Sequence, residues 1–396
     1  MLHNTNSELT DEQQMILDSA HRFIEQSCQY ERRREAVQAG VTLDRTMWKD
    51  IADLGWFGLG LKEDVGGFGG SLTDVALISE AVGKGQMLEP YLLCGFFPGR
   101  LLSRIGTTEA NQLLAGIITG ETIVAVAHSE PDARGDVANL AVVARETEAG
   151  WRIDGRKSLV VGGDIADLIV VSARLSGGGA GLFALPRATP GLTVEGTRLI
   201  DWTSGTDLVF DGAAAQLLTT ERNQPSALDA AKVETIVMLC AELVGAMEGA
   251  IDTTAAYIRE RRQFGASLST FQALQHRMSD MAIELVIARS AVLRALTFVD
   301  AEDLSERAAQ VSACKALVTR IAKWTTAQGI QLHGGYGLTE EYRVGQYYKR
   351  ALVIDALFGR QETHLRIFKN YLITKARQTG GTSDERNAIG ETIGRT

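Results

Sequence analysis

Thr122-Ile123-Val124-Ala125-Val126-Ala127 is where the chain changes period. Upstream, apolar residues recur at helical spacing. From here on they form short runs: Ile123–Ala127, Ala141–Arg145, Trp151–Ile153, Ser158–Val161, Leu168–Ala173, Leu182–Leu185, Leu192–Glu195 and Asp207–Phe210. Gly, Asp and Pro separate these runs at intervals of about 8–12 residues, the punctuation of short strands joined by turns. A small antiparallel β-domain is therefore expected in the middle of the chain.

Both flanks read as helix. The chain has 6 prolines, none in residues 1–89 and none after Pro225; since proline breaks helix interiors, both blocks permit long helices. Leu9-Thr10-Asp11-Glu12 opens one with a cap residue and early acids, followed by Ile16, Ala20, Phe23 and Ile24 at helical spacing. A second is expected from about Met47 to Leu54. The glycine-dense stretch Leu59–Gly70 cannot be helix, and Ser71-Leu72-Thr73-Asp74 restarts one that carries Val75, Leu77, Ile78 and Ala81. Beyond Pro225, Leu274, Met278, Met281, Leu285, Ala288, Val292 and Leu296 form one long stripe, and Val311, Cys314, Leu317, Val318 and Ile321 another, as in a helical bundle. The expected organisation is an N-terminal helical domain (1–121), a middle antiparallel β-domain (122–215), a C-terminal four-helix bundle (225–378) and a flexible polar tail (379–396).

Composition bounds the function. At 396 residues the chain is long enough for two or three domains and a self-sufficient core. Its 40 Lys and Arg against 49 Asp and Glu give a formal charge of −9, which argues against a nucleic-acid partner, since phosphate binding needs a basic face. Cys28, Cys94, Cys240 and Cys314 lie far apart, with no CxxC pair and no histidine cluster, so neither disulfides nor a metal are indicated. No apolar run approaches the roughly 18 residues of a membrane helix, and the start is polar and acidic, so no membrane is expected and a cytoplasmic location is.

Four segments carry a more specific signal. Tyr257-Ile258-Arg259-Glu260-Arg261-Arg262-Gln263-Phe264-Gly265, followed by Phe271-Gln272, precedes a long helical stripe. Gln328-Gly329-Ile330-Gln331-Leu332-His333-Gly334-Gly335-Tyr336-Gly337 is followed by Glu340-Glu341-Tyr342. Ser129-Glu130-Pro131-Asp132-Ala133-Arg134-Gly135-Asp136 lies at the entry to the β-domain, and Val65-Gly66-Gly67-Phe68-Gly69 in the N-terminal block. In this order and spacing they resemble the signatures of the acyl-CoA dehydrogenase family, over roughly residues 7–372.

That resemblance implies the family fold, with helical, β and helical domains, and FAD as cofactor. Arg261 matches the arginine that reaches the FAD pyrophosphate of a neighbouring subunit, a group that favours a guanidinium. Phe264 would lie against the adenosine part with Gln272 nearby, and Gln331, Gly334 and Gly335 along the dinucleotide. The other reading of Glu260-Arg261-Arg262 is a solvated charge run at a helix end. Ser129 holds the hydroxyl position used toward the flavin. Two departures stand out: Arg134-Gly135 replaces Gly-Ser, and Ser158-Leu159-Val160-Val161 replaces a Trp-Ile-Thr segment, so Val161 sits at a flavin-facing position without a hydroxyl.

The family reaction removes an α-proton from an acyl-CoA thioester as the β-hydrogen leaves as hydride, giving a 2-enoyl thioester, and it needs a carboxylate base. The usual glutamate position falls on Gly359. A second subgroup's position falls on Thr235, with Glu234 one residue off, about 100° around a helix. Candidate substitutes are Glu362, three residues past Gly359, Glu234, and Glu242, seven residues beyond Thr235. Glu362 also reads as a first-turn acid of a helix, Glu234 as a solvated helix residue, and Glu242 as a buried, paired acid. The "LFG" run without glutamate resembles a bacterial branch acting on pimeloyl-type dicarboxylic or steroid-derived thioesters, often the small subunit of a heteromeric enzyme. The implied partners are an acyl-CoA substrate, an electron-transfer flavoprotein or similar acceptor, and either further copies or a second dehydrogenase-like chain in a tetramer. Three functions fit: an FAD-dependent acyl-CoA dehydrogenase, alone or as one subunit; a catalytically silent partner subunit; and a flavin oxidase or monooxygenase of the same fold.

Overall fold

Thr10 accepts a hydrogen bond from the Gln13 amide while the Gln13 side chain accepts one from the Thr10 N–H, and this reciprocal cap starts α1 (Asp11–Ser27). The same device, Ser71 with Asp74, starts α4 (Leu72–Gly85) after the glycine-rich loop. The computed structural model describes residues 9–131, 140–219 and 225–378. Between these two helices lie α2 (Tyr30–Gln38) and α3 (Arg45–Asp53), the latter at the expected second helix. A π-helical stretch, Tyr91–Phe96, then runs into α5 (Phe97–Ile105), and α6 (Thr108–Ile118) closes the N-terminal layer.

The sheet follows: β1 (Val124–Ala127), β2 (Val143–Thr147), β3 (Gly150–Val161), β4 (Leu168–Leu175), β5 (Ala180–Pro186), β6 (Leu192–Arg198) and β7 (Ser204–Leu217). Two expectations are corrected. The Trp151–Ile153 and Ser158–Val161 runs are one long strand, β3, because register shifts beside Gly155 and between Lys157 and Val160 let it bend without ending. The sheet is mostly antiparallel, but β4 lies parallel to both β1 and β2.

The C-terminal layer comprises α7 (Pro225–Glu260), α8 (Gln272–Leu296), α9 (Leu304–His333), α10 (Val344–Ala356) and α11 (Gln361–Gln378). Between α7 and α8 is a small hairpin of β8 (Arg262–Gln263) and β9 (Ala266–Ser267). Helix α9 packs against the other four, and α10 and α11 together take the last place in the bundle, broken at the Leu357–Arg360 turn. Met281, Leu285, Ala288 and Val292 are buried, as the α8 stripe requires. The N- and C-terminal layers meet where α4 crosses α7. A Cβ on Gly83 would collide with the Glu242 carbonyl, and one on Gly245 with the Glu80 carbonyl, so backbone touches backbone at this crossing. Cys94, Cys240 and Cys314 are buried, and all four thiols are free. The tail from residue 379, and Arg134-Gly135, lie outside the described residues.

Candidate active site

The last residues of β1, the bend of β3 and the α10–α11 turn converge on a cavity of about 420 Å³. Ser129 and Val161 line it from the sheet, Gly359 and Glu362 from the turn, Leu93 and Phe97 from the N-terminal layer and Lys232 from α7. Two strained loops shape it. Leu159 is left-handed (φ 52°) at the β3 bend, with its N–H on the Asp207 carboxylate at 3.2 Å. Phe358 (φ 57°) and Gly359 (φ 106°) are left-handed in succession. A non-glycine residue in that region costs of order 1–3 kcal/mol and persists only where packing holds it. Here the Phe358 ring stacks on His128 at 4.9 Å and 13°, and Phe97 stands edge-on to both, at 5.4 and 5.7 Å.

Behind this aromatic group lies a buried ion pair. Lys157 Nζ donates to Glu130 at 2.6 Å and to Ser172 at 3.0 Å, and Glu130 also accepts from the Ala141 and Val142 amides. Glu130, just past β1, is thereby anchored to β3. Burial, with Glu130 opposing, brings the Lys157 ammonium down to about 8.

His128 is held neutral: burial, then the charges of Lys232 and Lys157, push it down to about 3. His364, bonded to Ser312 at 3.0 Å, falls to about 4 through burial and the Lys315 charge. Both folded values lie below the ordinary 6.5. As pH falls from 6.5 towards 4, the unfolded chain therefore binds protons that the folded chain does not, and stability falls by about 1.4 kcal/mol per pH unit per histidine. Urea midpoints at pH 7, 6 and 5 should show this decline, and it should be shallower in His128→Phe.

The three candidate carboxylates separate. Glu234 is buried and held by Arg100 at 2.7 and 2.8 Å and by Arg104 at 2.6 Å, so the reading of a solvated helix residue is corrected. Glu242 is buried against Arg350 at 2.6 and 3.1 Å, with Asp201 on the same guanidinium at 2.9 Å. Neither lines the large cavity. Glu362 does, at its exposed edge in the first turn of α11.

The other site residues gather at a second place. Tyr257 stacks on His333 at 4.3 Å, which brings the α7 end and its hairpin to the α9 end. His333, bonded to the Gly329 carbonyl at 2.7 Å, is structural there. Arg261, Gln272 and Gln331 are exposed around this junction. Phe264 is 90% exposed and left-handed (φ 54°), edge-on to Phe271. At Gly334 and Gly335 the space a Cβ would take is open, so no atom of the described chain is what keeps side chains out of it. An exposed guanidinium, a presented aromatic face and bare backbone together suit the approach of a dinucleotide.

Sequence reasoning missed Lys232, His128 and Phe358. Lys232 stands three residues before Thr235 and so shares its helix face, which was a usable signal; His128 and Phe358 adjoin Ser129 and Gly359. Among the described residues there is no cluster of three or more metal-ligating side chains, and no helix is long and apolar enough to cross a membrane.

Comparison with known proteins agrees with this fold. Three family profiles match in succession: acyl-CoA dehydrogenase N-terminal domain over residues 10–121, middle domain over 125–212 and C-terminal domain over 227–372. Benzylmalonyl-CoA dehydrogenase of Aromatoleum aromaticum is 27% identical over 358 residues, 86% of this chain and 93% of that one. Acyl-CoA dehydrogenase IpdE2 of Mycobacterium tuberculosis is 27% identical over 343 residues, 86% of this chain and 91% of that one. The crystal structure of an acyl-CoA dehydrogenase from Geobacillus kaustophilus superposes with a TM-score of 0.84 at 25% identity, covering 93% of this chain and all of that one. With all three domain profiles matched in order along a chain that folds as they require, this protein belongs to the acyl-CoA dehydrogenase family.

Proposed function

We propose that the chain is an FAD-dependent acyl-CoA dehydrogenase, alone or as one subunit of a heteromeric enzyme, with Glu362 as its base. One observation carries this reading: of the three candidate carboxylates, Glu362 alone lies at the cavity where Ser129, Val161 and Gly359 meet, while arginines hold the other two. FAD, bound along Arg261, Phe264, Gln272, Gln331, Gly334 and Gly335 of one copy with its ring toward Ser129 and Val161 of another, would supply the hydride acceptor. Apolar walls at Leu93, Phe97, Leu159 and Phe358 exclude water from the acyl chain and strengthen every polar contact within. The Glu362 carboxylate takes the α-proton; the substrate's electron pair shifts to form the α,β double bond as the β-hydrogen departs with its own pair. Ile283, Val286, Ile287 and Leu293 are exposed on α8, an apolar face that suits association with another copy or a second dehydrogenase-like chain. An electron-transfer flavoprotein or similar acceptor completes the turnover.

Purified alone, the chain should be yellow. Arg261→Ala should weaken FAD retention about ten- to a hundredfold, the worth of one charge-assisted pair. Wild-type flavin content after extensive dialysis would remove Arg261 from the site.

A second reading, a catalytically silent subunit, is favoured by Gly359 at the usual glutamate position and by the Phe358–His128 stack that holds this turn against the sheet. It predicts a chain that turns over no thioester until a second dehydrogenase-like chain is added.

A further inference from the structure

The cavity has a cation set in its wall. Lys232 lines it with a side chain only 15% exposed, and among the described residues the acid within 4 Å of it is Asp229, one turn earlier on α7, at 3.4 Å and itself 47% exposed. The other charged groups at the cavity are accounted for differently. Glu130 is neutralised by Lys157 and two amides, and Arg360 and Glu362 are exposed at the opening. The rest of the lining is apolar or aromatic at Leu93, Phe97, Leu159 and Phe358 with hydroxyls at Ser129, Ser158 and Thr363, and the nearby His128 imidazole is neutral. An ammonium on a mostly buried side chain, with its counter-ion at 3.4 Å and half exposed, is stabilised further by a second anionic partner on the cavity side. Lys232 shares a helix face with Thr235, which is buried and donates its hydroxyl to the Ala231 carbonyl, leaving the ammonium as the polar feature α7 offers to the cavity.

We infer that Lys232 is a specificity-determining residue that pairs with a carboxylate carried on the acyl part of the substrate, so that the site prefers dicarboxylic over simple fatty acyl thioesters. This rests on the acyl-CoA reading above and narrows it. A charge-assisted hydrogen bond of this kind is worth about ten- to a hundredfold in affinity. Lys232 has no part in proton removal, so its signature is selective binding rather than turnover.

The test is calorimetric titration of the full chain, with FAD in excess, using succinyl-, glutaryl- and adipyl-CoA against butyryl-, pentanoyl- and hexanoyl-CoA, pairs matched in chain length. The wild-type chain should bind at least one dicarboxylic member about ten- to a hundredfold more tightly than its neutral counterpart. Lys232→Met should abolish that preference and keep the neutral affinities, and Lys232→Arg should retain it; Lys232→Gln serves if the methionine variant does not purify folded. Equal affinities across every pair in the wild type, or a preference that survives Lys232→Met and Lys232→Gln, overturns the inference while leaving the acyl-CoA reading intact. If none of the six thioesters binds, both fall together.

Discussion

Glu362→Gln is expected to lower thioester dehydrogenation by about 10²–10⁴-fold, with fold and flavin content unchanged. The substitution keeps size and hydrogen-bonding reach and removes the proton-accepting charge. Glu362 sits at the start of α11, where a negative charge is favoured by the helix dipole but not required, so stability should change by less than about 1 kcal/mol. The parallel Glu234→Gln and Glu242→Gln variants act differently: the first leaves Arg100 and Arg104 without their shared counter-charge and the second leaves Arg350 with Asp201 alone, so both should be read first in stability. An unchanged rate in Glu362→Gln, Glu234→Gln and Glu242→Gln alike would assign the base to a second polypeptide. Gly359→Glu, which restores the family pattern, carries its own cost, because position 359 is left-handed at φ 106° and an ordinary side chain there is strained.

Lys157→Met should destabilise the chain by about 3–5 kcal/mol, a large share of the usual 5–15 kcal/mol of a folded protein. Lys157 and Glu130 are 0% and 2% exposed, and removing the ammonium leaves a carboxylate with no counter-charge in the interior. Adding Glu130→Gln should recover part of the loss, since it removes the uncompensated charge and its one amide oxygen can still accept from the Ala141 amide, while the Val142 amide, which bonds the other carboxylate oxygen at 3.3 Å, loses its acceptor. Chemical denaturation of the three proteins decides it: a single variant within about 1 kcal/mol of wild type, or a double variant weaker than the single, would show that the pair is not what holds the β1 end to β3.

What could be read from the sequence was what depends on near neighbours. Thr10 and Ser71 announced helix starts because a cap and its partner lie three residues apart. The alternation after Thr122 announced the sheet, but Gly155 cut one strand into two apparent runs, and strand direction could not be read at all, since side-chain alternation is the same in parallel and antiparallel pairs. Ser129, Val161, Gly359 and Glu362 were named from the family resemblance, and the fold brings them to one cavity. The fate of Glu234 was invisible, because Arg100 is 134 residues away; Glu242 was read as a buried, paired acid, but its partner Arg350, 108 residues away, could not be named. Lys232 was overlooked for a related reason: a cation on a helix reads as solvated until the opposite walls of its cavity are known.

Helix α7 is also a ruler. It carries Lys232 near one end, crosses α4 backbone to backbone at Gly245, and delivers Arg261 just past its other end. At 1.5 Å per residue, the 29 residues from Lys232 to Arg261 span about 44 Å of continuous helix, longer than a single dinucleotide can bridge. The crossing clamps the rod near its middle, so bending cannot bring its ends together. If one flavin dinucleotide engages both the cavity and Arg261, the arginine must belong to a different molecule from the cavity. The length of one helix then makes each site the joint property of two chains, and a dilution that separates them should cost cofactor before it costs fold.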